Sequence, residues 1–235
     1  MFVKAIKKIS KAMFPIVFTE QVSPTEAKIG VVGTGFFINS DGYFVSAAHV
    51  FDNSTPATKF IFSGYLPDTV QNPPIEIKEI ARDDTNDIFI GQINIKTPNF
   101  VELSNKPTEI GKTVCVSGYP LANIIADRGI IHLGGVRRYY QPSFVLDYGK
   151  INLDNGKGTL RTHDGFLVRD IGLFGMSGGP VFDVEGKVLG MQGSVTNPRE
   201  SISGDGKRKI IVENALAIRS DLVLEVLKSK NIKIN

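Results

Sequence analysis

The sequence predicts an all-β fold, either a sandwich or a pair of barrels, closed by a short C-terminal helix. The 235 residues are enough for one large all-β unit and leave little room for a second independent domain. Short runs of β-branched and aromatic residues, bounded by turn residues, recur along the chain without alternating helical segments. From Ser220 onward the apolar residues instead recur at helical spacing, and Ser220 is a suitable N-cap.

The predicted strands are spread over both halves of the chain. In the first half they cover residues 29–38, 43–50, 59–62, 75–80, 88–93 and 113–117. In the second half they cover residues 130–133, 160–162, 181–182, 188–192 and 215–218. The turn at residues 39–42 favours a hairpin between the first two strands, which presents His49 near its far end. Residues 196–209, from Thr196 to Lys209, are rich in Asn, Pro, Ser, Gly and charge, and we expect a long exposed loop there.

The composition is that of an ordinary globular protein, with 42% hydrophobic and 22% charged residues. A net charge of +3, dispersed along the chain, does not indicate a nucleic-acid partner. Cys115 is the single cysteine, so no intrachain disulfide can form, and this favours a reducing compartment.

The N-terminal residues make a poor signal peptide, because their apolar run contains Pro15 and no small-residue cleavage site follows it. No stretch approaches the roughly 18 to 20 uninterrupted apolar residues that a membrane span needs. We therefore expect a cytoplasmic protein without membrane association. A basic amphipathic helix at residues 2–13 leaves a contact with a membrane surface as the alternative.

The segment from Gly175 to Pro180, with the sequence GMSGGP, is the most specific feature of the chain. It sets Ser177 between glycines immediately before an apolar strand. Glycines let the backbone turn sharply, and they leave the N–H groups of Gly175 and Ser177 free to bind the oxyanion that forms when a serine attacks a carbonyl. On this hexapeptide alone, the alternative is a tight turn with an incidental serine.

A serine nucleophile needs a histidine base that is oriented by a carboxylate. His49 ends the run FVSAAH, whose small residues leave room around the imidazole, and Asp87 opens the apolar run DIFI. Taken singly, each is as readily a core, surface or turn residue. Taken together with Ser177, their order of His, Asp and Ser is that of chymotrypsin and differs from the order in subtilisins and α/β-hydrolases.

At these residues the sequence resembles the trypsin-like (chymotrypsin-fold) serine peptidases, in particular the HtrA-like branch without disulfides. The matching motifs lie at residues 33–38, 46–50, 86–88, 118–120 and 175–180, within a resemblance that covers roughly residues 29–195. The resemblance implies a single domain of two six-stranded antiparallel β-barrels, over about residues 15–110 and 111–219, with a C-terminal helix and tail at 220–235. It also implies a serine endopeptidase in which Ser177 is the nucleophile, His49 the general base and acid, and Asp87 the group that orients the imidazole.

The sequence departs from the family pattern in two places. Met176 stands where secreted trypsin-like enzymes carry the aspartate that pairs with a new N-terminus, so we do not expect activation by zymogen cleavage. The chain ends about one helix beyond the barrels, where HtrA-type enzymes carry a PDZ domain, so we expect a member of this branch without one.

The resemblance also indicates where a substrate would bind. It assigns the walls of the primary specificity pocket to the loop before the nucleophile and to the strand at residues 190–195. The expected substrate-binding residues are Ile171, Gly172, Leu173, Phe174, Gly193, Ser194 and Val195. None carries the acidic group that would bind Lys or Arg, so we expect cleavage of protein or peptide substrates after small or medium apolar residues.

Two other functions stay open at this point. The fold can serve as a non-catalytic peptide-binding module with a collapsed loop around Met176, or as a latent protease switched on by an activating partner. We expect no cofactor and no metal, because His132 and His163 stand apart and no Cys or carboxylate lies at metal-ligand spacing. Cys115 is typical of a buried core residue rather than of a second nucleophile. The sequence does not indicate an oligomeric state.

Overall fold

The computed structural model describes residues 1–21, 27–52, 60–66, 75–120, 125–127, 130–132, 137–154, 160–170, 172–196, 199–202, 208–211 and 214–234. Helix α1 spans Val3–Ala12, helix α2 spans Ser220–Ser229, and a 3₁₀ turn covers Ala48–Phe51. The strands are β1 (Met13–Gln21), β2 (Ala27–Phe37), β3 (Tyr43–Ala47), β4 (Phe60–Gly64), β5 (Ile75–Asp83), β6 (Ile88–Ile93), β7 (Glu102–Leu103), β8 (Thr113–Gly118), β9 (Ile125–Asp127), β10 (Ile130–His132), β11 (Tyr139–Asp154), β12 (Leu160–Val168), β13 (Pro180–Phe182), β14 (Lys187–Thr196), β15 (Arg199–Ile202), β16 (Arg208–Ile211) and β17 (Asn214–Arg219).

The first barrel is a closed ring of antiparallel strands in the order β1-β2-β3-β6-β5-β4. Strand β1 pairs with both β2 and β4, and these two pairings close the ring. Strands β3 and β6 are neighbours, with Ala47 opposite Ile88 at the end of the pair. This register brings together the two segments that carry His49 and Asp87, because one follows β3 and the other precedes β6.

The second barrel is built from β13, β8, β11, β12, β17 and β14, and the pairing of β13 with β14 closes it. The short strand β7 adds to β14 in parallel from outside this ring. The predicted fold of two six-stranded antiparallel barrels with a C-terminal helix is therefore confirmed. The turn with Ser177 lies between β12 and β13, so the second barrel carries the predicted nucleophile.

Phenylalanine rings fill the interior of the first barrel. The rings of Phe14 and Phe44 meet edge to face at 5.1 Å between centroids. Phe51 stacks on Phe89 at 3.7 Å, only two residues after His49. Buried aromatic side chains contribute large apolar areas in defined geometries, so this packing stabilises the 3₁₀ turn that carries His49.

Helix α1 packs its apolar face against the protein. Phe2, Ala5 and Ile9 are buried, and the Phe2 ring contacts the Phe182 ring of β13 edge to face at 6.0 Å between centroids. The face that an amphipathic helix would offer to a membrane surface is thus occupied by protein. In the part of the chain that the structure describes, no helix is both long and apolar enough to cross a bilayer.

Three local predictions were wrong. Strand β3 ends at Ala47, so His49 lies in the 3₁₀ turn and not in a strand that reaches residue 50. The predicted strands omit β1, which contains Pro15, and also the long strand β11. Pro15 is tolerated in β1 because it lies at the end of the pairing with β4, where its carbonyl accepts the N–H of Tyr65 at 3.1 Å and no further ladder pair follows.

The third wrong prediction concerns residues 196–209. Within this segment, β15 and β16 form an antiparallel hairpin, with Arg199 opposite Ile211, in place of a loop without secondary structure. The β-branched residues on both sides of a Gly-rich centre favour such a hairpin, although they are too few to stand out as strands in the sequence.

Candidate active site

His49 and Asp87 form a hydrogen-bonded pair at one end of the first barrel. The imidazole Nδ1 lies 2.8 Å from Asp87 Oδ2 and 3.0 Å from Oδ1. The backbone N–H of His49 also donates to Asp87 Oδ1 at 2.9 Å, and the backbone N–H of Ala48 donates to the Asp87 carbonyl at 3.1 Å. An ionised carboxylate can only accept, so Nδ1–H donates to Asp87, and in the neutral ring Nε2 keeps its lone pair.

The backbone of Asp87 adopts an unusual conformation that aims its carboxylate at His49. Its φ is +56°, which non-glycine residues seldom adopt, although Asp is one of the residues that tolerates it best. The turn before it is held by Asp83, whose carboxylate accepts hydrogen bonds from the backbone of Thr85 and from the backbone and side chain of Asn86. Asp87 is only 7% exposed, so its carboxylate faces the imidazole and not solvent.

The electrostatics of the pair favour a protonated imidazole more than in a free histidine. Burial lowers the pKa of His49, but the hydrogen bond that the ring donates to Asp87 and the negative charge of Asp87 outweigh that effect, and the net pKa is raised above 6.5. The charge of Asp52 raises it further, while Arg82 opposes this. The His49 side chain remains 41% exposed, so the ring is open to an incoming molecule.

Ser177 occupies a tight turn whose backbone conformation requires glycine at positions 175 and 178. Gly175 has φ +93° and Gly178 has φ +83°, in the left-handed region that side chains disfavour. A Cβ atom on Gly175 would lie 2.4 Å from the Tyr119 carbonyl oxygen, and one on Gly178 would lie 2.1 Å from Ser46 Oγ. Both glycines are therefore required by conformation and by space, and the turn brings Ser177 against the first barrel.

The N–H groups of Gly175 and Ser177 donate to no protein group within the described residues. The intervening N–H of Met176 differs, because it donates to the Leu173 carbonyl at 3.0 Å. Buried backbone donors are almost always paired, so two unpaired donors on either side of one residue indicate a place for an external acceptor. These two N–H groups on the loop around Met176 are thus available to an external acceptor.

Thr34 of β2 ties the Ser177 turn to the first barrel. Its backbone N–H donates to the Ser177 carbonyl at 2.8 Å, and its hydroxyl donates to the Gly175 carbonyl at 2.8 Å. The same hydroxyl accepts the backbone N–H of Tyr119 at 3.1 Å. Thr34 is fully buried, so these hydrogen bonds are shielded from water and hold the backbone on both sides of Met176.

The structure brings all three predicted residues to one region. The backbone of Gly193 links two of them, because its carbonyl accepts Ser177 Oγ at 3.4 Å and a Cβ on it would lie 3.3 Å from Asp87 Oδ2. Gly33 packs between the Val50 side chain and the Ser177 carbonyl. Val50 directly follows His49 in the chain. The Ser177 hydroxyl is directed towards Gly193 and makes no hydrogen bond to His49 in this structure.

The predicted substrate-binding residues flank the Ser177 turn on two sides. Gly172 contacts the strand that carries Val195, since a Cβ on Gly172 would lie 2.8 Å from Val195 Cγ1. Phe174, immediately before Gly175, is 71% exposed, which is unusual for a large apolar side chain. Leu173 is half-buried, and Ser194 follows Gly193 along β14. Ile171 lies outside the described residues.

Comparison with known proteins assigns the family. Residues 33–191 match the trypsin-like peptidase domain family. The chain belongs to this family. The match covers more than half of the chain and includes all three predicted catalytic positions, and it confirms the sequence-based assignment to the trypsin-like serine peptidases.

Relatives of this trypsin-like peptidase domain are found among bacterial proteins. A probable periplasmic serine endoprotease DegP-like from Bartonella henselae is 29% identical over 71% of this chain and 28% of its own length. The corresponding protein from Brucella suis is 27% identical over 71% of this chain and 28% of its own length. The uncharacterized protein y4bJ of Sinorhizobium fredii is 31% identical over 48% of this chain and 17% of its own. The chain thus spans under a third of the length of these relatives.

Solved structures show the same fold at low sequence identity. The active form of the Rv3671c protease from M. tuberculosis is 21% identical, with a TM-score of 0.65, and the match covers 98% of this chain and 85% of that one. Its inactive form is 20% identical, with a TM-score of 0.61, over 96% of this chain and 92% of that one. The barrel pair described above is therefore an arrangement that also occurs in crystal structures.

Cys115 does not compete with Ser177 for the role of nucleophile. It is fully buried on β8, and burial raises the pKa of its thiol to about 12. A thiol with that pKa is not ionised near neutral pH, and the thiolate is the reactive form.

Two residues of the site escaped the sequence reasoning. Thr34 lies inside the motif at residues 33–38, but nothing local shows that its hydroxyl bonds across the barrel interface. Gln192 precedes Gly193 on β14 and is only 3% exposed, with its Oε1 atom unpaired. A glutamine inside the apolar run before Gly193 is the signal that could have identified it.

Proposed function

We propose that this chain is a serine endopeptidase that uses His49, Asp87 and Ser177 as its catalytic triad. The observation that carries the proposal is the bidentate contact of His49 Nδ1 with the buried Asp87 carboxylate, next to a serine flanked by unpaired backbone N–H groups. A carboxylate, an imidazole and a hydroxyl in these roles form the general arrangement for acyl transfer.

In the first step, Ser177 Oγ attacks the carbonyl carbon of the scissile peptide bond. His49 accepts the hydroxyl proton on Nε2, and Asp87 stabilises the resulting imidazolium through Nδ1–H. The substrate oxygen becomes an oxyanion and accepts hydrogen bonds from the N–H groups of Gly175 and Ser177. The tetrahedral intermediate then collapses, the C–N bond breaks, and His49 gives its proton to the departing amine.

The second step returns the enzyme to its starting state. A water molecule gives a proton to His49 and attacks the acyl group on Ser177, so a second oxyanion forms in the same place. Collapse of this intermediate breaks the bond to Ser177 Oγ, which recovers its proton from His49. The raised pKa of His49 fits both halves of the cycle, because the ring must accept a proton and then release it near neutral pH.

The proposed specificity pocket lies between the loop with Gly172 and the strand with Val195. Its described residues carry no charge, and the neighbouring carboxylate of Asp170 instead lines a groove with Phe144 and Arg169. Lys and Arg would therefore find no counter-charge, and we propose cleavage after small or medium uncharged residues. The sequence-based preference for an apolar residue there stays a prediction.

A fluorophosphonate probe tests the proposed triad, because it reacts covalently only with a serine that a base activates. The purified protein is treated with the probe, and the adduct is mapped by mass spectrometry. We expect a single adduct on Ser177 that is absent in Ser177→Ala and in His49→Ala. A protein that retains its fold but stays unlabelled would contradict the proposal and favour the peptide-binding module.

A second candidate, a latent protease, is favoured by one observation. Ser177 Oγ donates to the Gly193 carbonyl at 3.4 Å and not to His49, so the hydroxyl must rotate before it can be activated. In a latent enzyme, an activating partner or a bound peptide would promote this rotation. The two candidates are separated by the rate of probe labelling, which a non-cleavable peptide should accelerate in a latent enzyme and should slow by competition in a constitutive one.

A further inference from the structure

A buried glutamine side chain lies at the proposed specificity pocket. The backbone of Gln192 is bound into the Ser177 turn on both sides: its N–H donates to the Gly179 carbonyl at 2.8 Å, and its carbonyl accepts the N–H of Gly178 at 2.7 Å. Its position relative to Ser177 is therefore held by the same turn that carries the nucleophile.

The carboxamide of Gln192 points towards the pocket wall. A Cβ atom on Gly172 would lie 2.4 Å from Gln192 Nε2 and 3.6 Å from its Cδ, so the amide packs directly against the Gly172 backbone. The same position would lie 2.8 Å from Val195 Cγ1. These two side chains fill the space on the Cβ side of Gly172, and we therefore expect a small substrate side chain to fit best beside them.

The described residues leave the hydrogen-bonding capacity of this amide unused. Gln192 is 3% exposed, its Oε1 atom has no hydrogen-bond partner, and no described residue bonds its Nε2. Leaving such a group unpaired away from water costs free energy, so an unpaired amide at a binding site indicates a ligand that completes it. An amide offers both a donor and an acceptor, and it pairs equally well with hydroxyl and amide groups.

We infer that Gln192 selects substrates whose residue before the scissile bond is small, uncharged and able to hydrogen-bond, namely Thr, Ser or Asn. This inference rests on the proposed function and deepens it. It changes the sequence-based preference in one respect, because an apolar side chain of the same size would leave the Gln192 amide unpaired. Threonine and valine have nearly the same shape, so they differ mainly in this hydrogen bond.

The test compares kcat/KM for peptide substrates that differ only in Thr or Val before the scissile bond. The wild-type protein should favour Thr by about tenfold, the size that one neutral hydrogen bond typically gives. Gln192→Leu should remove this preference or reverse it. Gln141→Leu is the matched control, because Gln141 on β11 also has an unpaired buried Oε1 but does not contact Gly172, and it should keep the wild-type ratio.

The outcomes separate the two proposals. A wild-type ratio of one or below, or a ratio that Gln192→Leu leaves unchanged, would overturn the role of Gln192 while Ser177 is still labelled by the probe. If Gln192→Leu does not fold, the wild-type ratio alone decides the question. A wild-type protein that neither cleaves any peptide of the series nor reacts at Ser177 would overturn both the proposed function and this inference.

Discussion

The two barrels hold their parts of the candidate site in different ways. His49 and Asp87 are held within the first barrel by bonds between their own side chains and backbone, and Phe51, two residues after His49, anchors the turn by stacking on Phe89. The Ser177 turn is bonded to Gln192 of its own barrel and, in addition, to Thr34 of the first barrel, which holds the backbone on both sides of Met176. The base can therefore form within one barrel, whereas the orientation of the nucleophile turn requires the two barrels to be docked.

The interiors of the barrels differ in a related way. In the first barrel, glycines make room for aromatic rings, as Gly91 does for Phe44. In the second barrel, glycines lie against backbone, as Gly165 does against the Ala217 carbonyl. Rings can shift by small rotations, but strand backbone in a closed barrel cannot, so the second barrel should tolerate substitutions at glycine less well.

The largest expected effect on activity comes from removing either the hydroxyl of Ser177 or the imidazole of His49, which lie on different barrels and exchange a proton. Ser177→Ala and His49→Ala should each lower kcat by about 10⁶-fold, because the two residues act as one unit. The double variant should be no slower than either single variant, as steady-state peptide hydrolysis would show. Independent effects that multiply in the double variant would mean that the two barrels do not share one catalytic unit.

The next largest effect on activity is expected from changing Asp87 in the first barrel. Asp87→Asn should lower kcat by about 10⁴-fold, because the amide no longer holds the imidazole in its reactive tautomer. The pH profile adds a check on the cause. Wild-type kcat/KM should fall as the pH drops through the raised pKa of His49, since the protonated ring cannot act as a base.

In Asp87→Asn this acid limb should move to lower pH, because burial still lowers the pKa of His49 while the raising charge is gone. An acid limb that stays in place would show that Asp87 does not set the pKa of His49. The residual activity is measured after titrating active sites with the probe, so that traces of wild-type enzyme are excluded.

A smaller effect on activity is expected from removing the hydrogen bonds that the Thr34 hydroxyl makes across the interface between the barrels. Thr34→Val keeps the shape of the side chain but leaves the Gly175 carbonyl and the Tyr119 N–H unpaired, which should cost about 1–3 kcal/mol of stability. The freed turn should also lower kcat by about 10- to 100-fold, less than the loss of a whole oxyanion donor. Chemical denaturation and peptide hydrolysis measure the two effects.

Two control variants show whether the hydroxyl of Thr34 is the cause. Thr34→Ser keeps the hydroxyl and should keep most of the activity. Thr108→Val removes a hydroxyl that is buried but has no hydrogen-bond partner, so it should change neither stability nor kcat appreciably. Equal losses in Thr34→Val and Thr108→Val would mean that the bonds across the interface contribute nothing specific.

The smallest effects are expected from enlarging glycines in the interiors of the two barrels, and they concern stability. Gly91→Ala and Gly165→Ala should both destabilise the fold by about 1–3 kcal/mol through overpacking. The loss should be larger for Gly165→Ala, because its new Cβ would meet the Ala217 carbonyl at 2.5 Å, whereas in Gly91→Ala it would meet the movable ring of Phe44 at 2.4 Å. If thermal unfolding showed the same destabilisation in both variants, the two barrels would not differ in their tolerance of substitutions at glycine.

Local patterns in the sequence predicted much of this protein. Strand β6 lies where a run of β-branched and aromatic residues predicts it, at residues 88–93. Helix α2 begins at Ser220 as predicted, but its N-cap is Arg219, and the Ser220 hydroxyl donates to the Ser104 carbonyl instead of capping the helix. The chemistry-bearing types His49, Asp87 and Ser177 could be named because each stands in a short motif, and the resemblance of those motifs gave their order a meaning. Such features depend on residues close in the chain, so periodicity and turn chemistry are sufficient to identify them.

Only the tertiary structure decided which groups complete the site. Thr34 and Gly175 are 141 positions apart, and Gly172 meets the Gln192 amide only because the nucleophile loop folds against β14. The same is true of helix α1, whose apolar face could suit a membrane or a protein until the second barrel is seen to cover it. Long-range hydrogen bonds and burial depend on which strands become neighbours, and that choice is made by the closure of the whole barrel and not by any local stretch of sequence.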